Sequence, residues 1–233
     1  MNYNYLFLDA DGTLLDFKAA QNAALSSTFI CHGISVSNEI LEIYDKINQE
    51  VWQALERKEL DRNELVQVRF KRLFSEFGIT NIDISEFNNG YIHNLSNECA
   101  LLDGALDLLK ELSKHYPMSI ITNGKTSTQY KRLSGSGIDV FFEHIIISEE
   151  IGREKPDPLF FSKALEIAKQ SKENVLIIGD SLTADIQGGI NAGIDTCWYN
   201  PNHLTTPDDI RPLFTVNRLS DITGLLEINT VTA

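Results

Sequence analysis

The sequence predicts an α/β protein in which a parallel sheet core carries an inserted bundle of helices. Three observations lead there. Tyr5-Leu6-Phe7-Leu8 is an apolar run that stops abruptly at Asp9-Ala10-Asp11-Gly12-Thr13, as expected of a strand covered on both faces. From Phe17 to about Cys99 apolar residues recur at helical spacing with almost no strand signal. From Leu101 onward short apolar runs alternate with helical stretches, the pattern of βαβ units.

In the inserted region, Phe17, Ala20, Ala24 and Thr28 share one helical face, and Ile40, Ile43, Ile47, Val51 and Leu55 share another. Asp61-Arg62-Asn63-Glu64 has the spacing of a capping box ahead of Leu65, Val68, Arg69, Leu73 and Phe77. Ser85 is expected to cap a fourth helix carrying Phe87, Tyr91 and Leu95. Trp52, Phe70, Phe74, Phe77 and Tyr91 read mostly as the core of this bundle. The expected division is therefore a core of residues 1–16 and 100–233 with a helical insertion of residues 17–99.

The core elements follow in order. Asp103 is expected to cap a helix that turns Ala105, Leu108, Leu109 and Leu112 inward. Met118 to Thr122 and His144 to Ser148 read as strands. Asp157-Pro158 opens a helix with Pro at its first position, running to about Ala168. Val175 to Ile178 is a strand ending at Gly179-Asp180. Thr183 to Ala192 reads as a helix closed by Gly193. Thr196 to Tyr199 and Phe214 to Val216 are the last strands, before a short helix from Ser220 and a frayed tail at Asn229 to Ala233.

Composition narrows the function classes. Of 233 residues, 42% are hydrophobic and 23% charged, which suits a globular chain with ample core. No apolar run approaches the roughly 18–20 residues of a membrane span, so a membrane is not an expected partner. Cys31, Cys99 and Cys197 are odd in number and far apart, which points to reduced thiols in a cytoplasm rather than a disulfide frame. A net charge of −13 disfavours binding to nucleic acid polymers. A small phosphorylated substrate stays compatible with that charge if a metal and local cations offset it. The sequence sets no oligomeric state.

Each expected strand end delivers a polar group. The first gives Asp9 and Asp11, the second Thr122-Asn123-Gly124, the segment past the third Lys155, and the fourth Asp180 with Asp185 five residues on. In a parallel sheet these ends share one rim, where open α/β sheets place their ligands. A carboxylate nucleophile, further carboxylates for a divalent cation, a hydroxyl and a fixed cation together suit phosphoryl transfer. Hard oxygen ligands select Mg²⁺ over softer metals.

Asp9-Ala10-Asp11-Gly12-Thr13, Thr122, Lys155-Pro156 and Gly179-Asp180-Ser181 with Asp185 resemble, in order, the four motifs of the haloacid dehalogenase (HAD) superfamily. The resemblance implies a Rossmann-like core, and it likens residues 17–99 to that superfamily's C1-type helical cap. It also implies roles. Asp9 would attack phosphorus and become an aspartyl-phosphate. Asp11 would protonate the leaving alcohol and then deprotonate the hydrolytic water. Mg²⁺ would be held by the Asp9 carboxylate, the Asp11 backbone carbonyl and Asp180, with Asp185 behind them, orienting a water or Lys155. Thr122 would bond a phosphoryl oxygen and Lys155 would offset the charge shared by phosphate and Asp9. Backbone N–H groups near Ala10 and Asn123 would complete the phosphate cradle.

Thr122-Asn123-Gly124, Ser148-Glu149-Glu150, Gly152-Arg153-Glu154-Lys155-Pro156, Gly188 to Gly193 and Thr196-Cys197-Trp198 look like the bacterial pyrimidine 5′-nucleotidases credited with clearing aberrant nucleotides. The expected activity is Mg²⁺-dependent hydrolysis of nucleoside 5′-monophosphates. Asp11 counts against a dehalogenase, which needs neither that acid nor a metal. Two other enzyme readings are a sugar-phosphate phosphatase and a mutase of the β-phosphoglucomutase type. The reading from another class is a phosphorylatable signalling domain. Such a receiver needs roughly half this length, and its acidic pair comes from a different strand than its phosphorylated Asp.

Overall fold

The structure, a computed structural model, describes residues 3–227; the tail expected at Asn229 to Ala233 lies outside them. The described chain forms two compact units. One is Lys18–Glu98; the other takes the chain up to Phe17 and from Cys99 onward.

The second of these is built on a six-stranded sheet, all parallel: β1 (Tyr5–Leu8), β2 (Met118–Thr122), β3 (His144–Ile147), β4 (Val175–Gly179), β5 (Asp195–Tyr199) and β6 (Phe214–Val216). The strand order is β3-β2-β1-β4-β5-β6. β1 is central, with Leu8 opposite Ile120 on one side and Ile178 on the other. Sequence order reverses between β1 and β4, and the ends of strands at such a reversal are where α/β sheets hold ligands. This is a Rossmann-like core.

Strand parity sorts the core. Tyr5 and Phe7 pack with Ile121, Ile146, Phe160, Phe161 and Ile177 on one face of the sheet. Leu6 and Leu8 pack with Leu108, Leu109, Leu112, Ile120, Leu176 and Ile178 on the other. An apolar run without alternation is thus what a strand with two buried faces requires.

Helices α1 (Phe17–Cys31), α2 (Asn38–Glu56), α3 (Arg62–Glu76) and α4 (Ile84–Leu95) account for the inserted region. Its core is aromatic. Phe70 lies 5.0 Å from Phe87, 5.5 Å from Tyr91 and 5.7 Å from Tyr44, centroid to centroid. Trp52 and Phe77 are only half-buried, so the tightly packed set is Phe29, Tyr44, Phe70, Phe74, Phe87 and Tyr91. The capping box at α3 forms as the spacing predicts: Asp61 accepts from the N–H groups of Asn63 and Glu64, and Glu64 reaches back to the Asp61 N–H. Asp61→Ala should lower the unfolding free energy by about 1 kcal/mol, measurable as a shift in urea midpoint at unchanged slope.

The remaining helices are α5 (Ala105–Leu112), α6 (Thr126–Ser136), α7 (Ser148–Ile151), α8 (Pro158–Ala168), α9 (Gly188–Ala192) and α10 (Asp221–Leu225). Several starts differ from expectation. Asp83, not Ser85, caps α4, accepting from the Glu86 N–H at 2.8 Å; an Asp two residues upstream takes the cap and leaves Ser85 in the first turn. At α5 the N-cap position is Gly104 in the left-handed region (φ 79°), with no side-chain cap, so Asp103 falls one residue outside. Ser148 begins α7 instead of ending β3. The helix expected over Thr183 to Ala192 is a π-helical turn, Leu182–Gln187, running into α9. Both the Asp185 and the Ile186 N–H groups reach the Ser181 carbonyl. Helix α6 has no counterpart in the sequence reading. Its sequence is rich in Ser, Thr and Gly, which have middling to poor helix propensity. Three of its four buried positions, Thr128, Gln129 and Arg132, are polar, so no apolar stripe marks it.

Candidate active site

The site is assembled at the C-terminal ends of β1, β2 and β4. β1 hands directly to Asp9, whose N–H donates to the Ile178 carbonyl (2.9 Å) and so fixes it against the end of β4. Lys155 is almost wholly buried, at 1% exposure. Its Nζ donates to Asp9 Oδ1 (2.7 Å), Asp185 Oδ1 (2.6 Å) and the Ile121 carbonyl (2.8 Å), which uses all three of its protons. Asn123 holds the Lys155 backbone from both sides: its Oδ1 accepts from the Lys155 N–H and its Nδ2 donates to the Lys155 carbonyl, each at 2.9 Å. The family resemblance implies a backbone contribution of Asn123 to a phosphate cradle; in the structure its side chain makes this clamp.

Thr13 is fully buried, and its Oγ1 lies 3.2 Å from Asp9 Oδ2 and 3.1 Å from Asp180 Oδ1. Its single proton can serve either carboxylate. Gly12 makes this approach possible. It adopts φ 88°, and a Cβ there would collide with the Asp180 carboxylate. Asp180 is tied at its backbone as well, since Trp198 Nε1 donates to its carbonyl at 2.9 Å. Asp185 is brought in by the π-helical turn, and its Oδ2 accepts from the Ser181 N–H at 3.1 Å.

Asp9, Asp180 and Asp185 each offer a carboxylate oxygen, all within 4.8 Å of one another. Three buried or part-buried acids surround one ammonium. Burial pushes the Asp9 carboxyl well above its ordinary range; Lys155 works against this, and Asp185 and Asp180 add to it. Burial and then Asp185 push Asp180 up to about 7. Burial alone would lower the Lys155 ammonium, yet Asp185 and Asp9 more than reverse that, so it stays charged. The cluster therefore carries more acid than Lys155 offsets. Hard oxygen donors with excess negative charge are what Mg²⁺ binds, and these residues fit it.

Asp11 stands apart from that cluster through its own partners. Its Oδ1 pairs with Arg132 Nη1 and its Oδ2 accepts from Gln129 Nε2 at 2.8 Å. The same Gln129 nitrogen donates to Thr122 Oγ1 at 2.7 Å. Ala10 is buried, with its carbonyl accepting from the Leu14 and Leu15 N–H groups. The expected residues thus fall into two connected groups: Asp9, Asn123, Lys155, Asp180 and Asp185 in one, Asp11 and Thr122 in the other. Thr13, Gln129 and Arg132 are contributors that pattern reasoning assigned no such part. The signal for the last two was their i, i+3 spacing just after Thr122, hidden because α6 itself was not legible.

The family profile described as haloacid dehalogenase-like hydrolase matches residues 6–199. A pyrimidine 5′-nucleotidase of Streptococcus pneumoniae is 42% identical over 231 residues, covering 98% of this chain and 97% of that protein. A pyrimidine 5′-nucleotidase of Escherichia coli is 32% identical over 227 residues, covering 97% and 99%. Among solved structures, a HAD-hydrolase from Bacillus subtilis bound to magnesium matches with a TM-score of 0.94 at 39% identity, covering 98% of this chain and all (100%) of that one. With the motifs, the sheet order and these relatives in accord, the chain belongs to the haloacid dehalogenase-like hydrolase family.

Proposed function

We propose that this protein is a Mg²⁺-dependent phosphomonoester hydrolase that works through an aspartyl-phosphate on Asp9, with nucleoside 5′-monophosphates as substrates. One observation carries the mechanism. Two carboxylates a single residue apart have separate surroundings, Asp9 against Lys155 and Thr13, Asp11 against Gln129 and Arg132. Separate surroundings suit separate tasks, nucleophile and proton carrier.

In the first step an Asp9 oxygen bonds to phosphorus as the bond from phosphorus to the leaving oxygen breaks, and Asp11 delivers its proton to that oxygen. In the second, Asp11 takes a proton from water as the water oxygen bonds to phosphorus, the bond to Asp9 breaks, and inorganic phosphate leaves. Lys155 offsets charge on Asp9 and the phosphoryl oxygens, and Thr122 donates to one of those oxygens. The Asp9 and Asp180 carboxylates and the Asp11 backbone carbonyl would hold Mg²⁺, with Asp185 supporting through Lys155. When bound, Mg²⁺ supplies charge neutralisation to the transferring phosphoryl group.

The nucleotide assignment is supported by the two pyrimidine 5′-nucleotidases of similar length. Phosphate release across a panel of nucleoside 5′-monophosphates and sugar phosphates with Mg²⁺ tests it. The expected result is release from pyrimidine nucleotides above all others. Isomerised sugar phosphate with little free phosphate would instead mark a mutase, and no turnover at all would sink the enzymatic mechanism.

Metal dependence has a pH signature. With Asp180 pushed up to about 7, the cation must displace a proton at lower pH. Apparent Mg²⁺ affinity should fall as pH drops through that value, and the raised Asp9 carboxyl adds to the fall. Calorimetric Mg²⁺ titrations at pH 6 and pH 8 read this directly; equal affinity at both would remove Asp180 from the metal site. Activity that survives chelation would remove the metal altogether.

A further inference from the structure

We propose, resting on the phosphatase reading above, that Gln129 is a positioning residue that sets the acid/base Asp11 and the phosphate anchor Thr122 at once through a single amide group. Gln129 is buried, at 2% exposure, on the first turn of α6. Its Nε2 lies 2.8 Å from Asp11 Oδ2, 2.7 Å from Thr122 Oγ1 and 3.5 Å from the Asn123 carbonyl. An amide nitrogen has two protons, so the two short contacts take them. The orientation follows from the partners, because a flipped amide would set Oε1 against the Asp11 carboxylate. In the orientation present, Oε1 is buried and has no hydrogen-bond partner among the described residues. A glutamine serving only to fill space would not leave a buried acceptor orphaned, since that carries a desolvation cost. The molecule accepts this cost to bring the donors to Asp11 and Thr122.

The donors do specific work. Thr122 Oγ1 receives a proton from Gln129, so its own O–H must point elsewhere. The acceptor within its reach, the Asn123 carbonyl, is 3.4 Å away, longer than an ordinary hydroxyl hydrogen bond. That proton is left to donate to an incoming phosphoryl oxygen. Asp11 meanwhile has one oxygen on Gln129 and the other on Arg132, three residues further along the same helix. Gly124 makes room for the arrangement, because a Cβ there would come within 2.9 Å of Gln129 Cγ and Nε2.

The test uses two substrates with Mg²⁺. A nucleoside 5′-monophosphate leaves as an alkoxide and needs the Asp11 proton; p-nitrophenyl phosphate leaves as a stable phenolate and does not. Gln129→Met keeps the length and removes the donors. It should lower kcat/KM, which reports formation of the aspartyl-phosphate, on the nucleotide by roughly a hundredfold, but on p-nitrophenyl phosphate only by about tenfold. It should also weaken competitive inhibition by inorganic phosphate by about tenfold, through the misdirected Thr122 hydroxyl. An unchanged ratio between the two substrates, or unchanged phosphate inhibition, overturns the double role. If Gln129→Met does not fold, as judged by its thermal melt, Gln129→Glu keeps shape and polarity while replacing the NH₂ by an oxygen. It should show the same selective loss, and a wild-type ratio overturns the proposal just as clearly. Wild-type protein that hydrolyses neither substrate would instead remove the phosphatase reading on which the inference stands.

Discussion

Asp9→Asn should abolish phosphate release, by at least roughly a thousandfold, while leaving the fold in place. The amide matches the carboxylate in shape, and its oxygen can still accept from Lys155, which donates to Asp9 Oδ1 at 2.7 Å. What it loses is nucleophilicity, and no other carboxylate replaces it. Asp180 and Asp185 are turned to Thr13, Lys155 and the Ser181 N–H, and Asp11 to Gln129 and Arg132. The measurement is phosphate release from a nucleoside 5′-monophosphate, with a thermal melt to show that the variant is folded. Turnover near wild type would end the aspartyl-phosphate mechanism, whatever the substrate.

Lys155→Met should be the most damaging of these changes to stability, and should lower activity as well. The ammonium is the one cation bonded to both Asp9 and Asp185 among the described residues, and it also satisfies the Ile121 carbonyl. Removing one partner of a buried ion pair leaves uncompensated charge behind, at a cost of about 3–5 kcal/mol. A proton can partly take the place of the lost cation, and this gives the effect a direction with pH. A carboxyl whose folded-state pKa lies above its unfolded value contributes stability at low pH that is lost as pH rises through the raised value. Asp9 and Asp180 are already shifted up with Lys155 present. The deficit of Lys155→Met relative to wild type should therefore be larger at pH 8 than at pH 5. Mg²⁺, the other source of positive charge for this cluster, should narrow the gap at pH 8. Urea denaturation of both proteins at the two pH values, with and without Mg²⁺, checks this. A deficit that does not depend on pH would mean the acids are not what Lys155 compensates.

Arg132 and Gln129 change how Asp11 is understood. In sequence, Asp9 and Asp11 are two acids one residue apart, and repulsion between them is the obvious difficulty. In the structure the second acid is drawn to donors on α6, which gives each carboxylate its own set of contacts. The crowding that remains lies among Asp9, Asp180 and Asp185, the last two far from Asp9 in sequence.

The sequence by itself determined the sheet and which polar residues stand at the ends of its strands. Apolar runs covered on both faces, such as Tyr5 to Leu8 and Val175 to Ile178, have one economical home in a parallel sheet, and abrupt polar endings locate its ligand rim. Capping at Asp61 and the helix start at Asp157-Pro158 were legible too, because those signals act within one helical turn. Tertiary structure alone decided what has no local signature. Helix α6 buries Thr128, Gln129 and Arg132, and the partners of the last two, Asp11 and Thr122, lie outside the helix. The π-helical turn that turns Asp185 toward Lys155 differs from an α-helix by a hydrogen-bond register that no residue type specifies. Hydrophobic periodicity records which residues leave water, whereas the placement of buried polar groups depends on donors and acceptors that meet only when the strands are side by side.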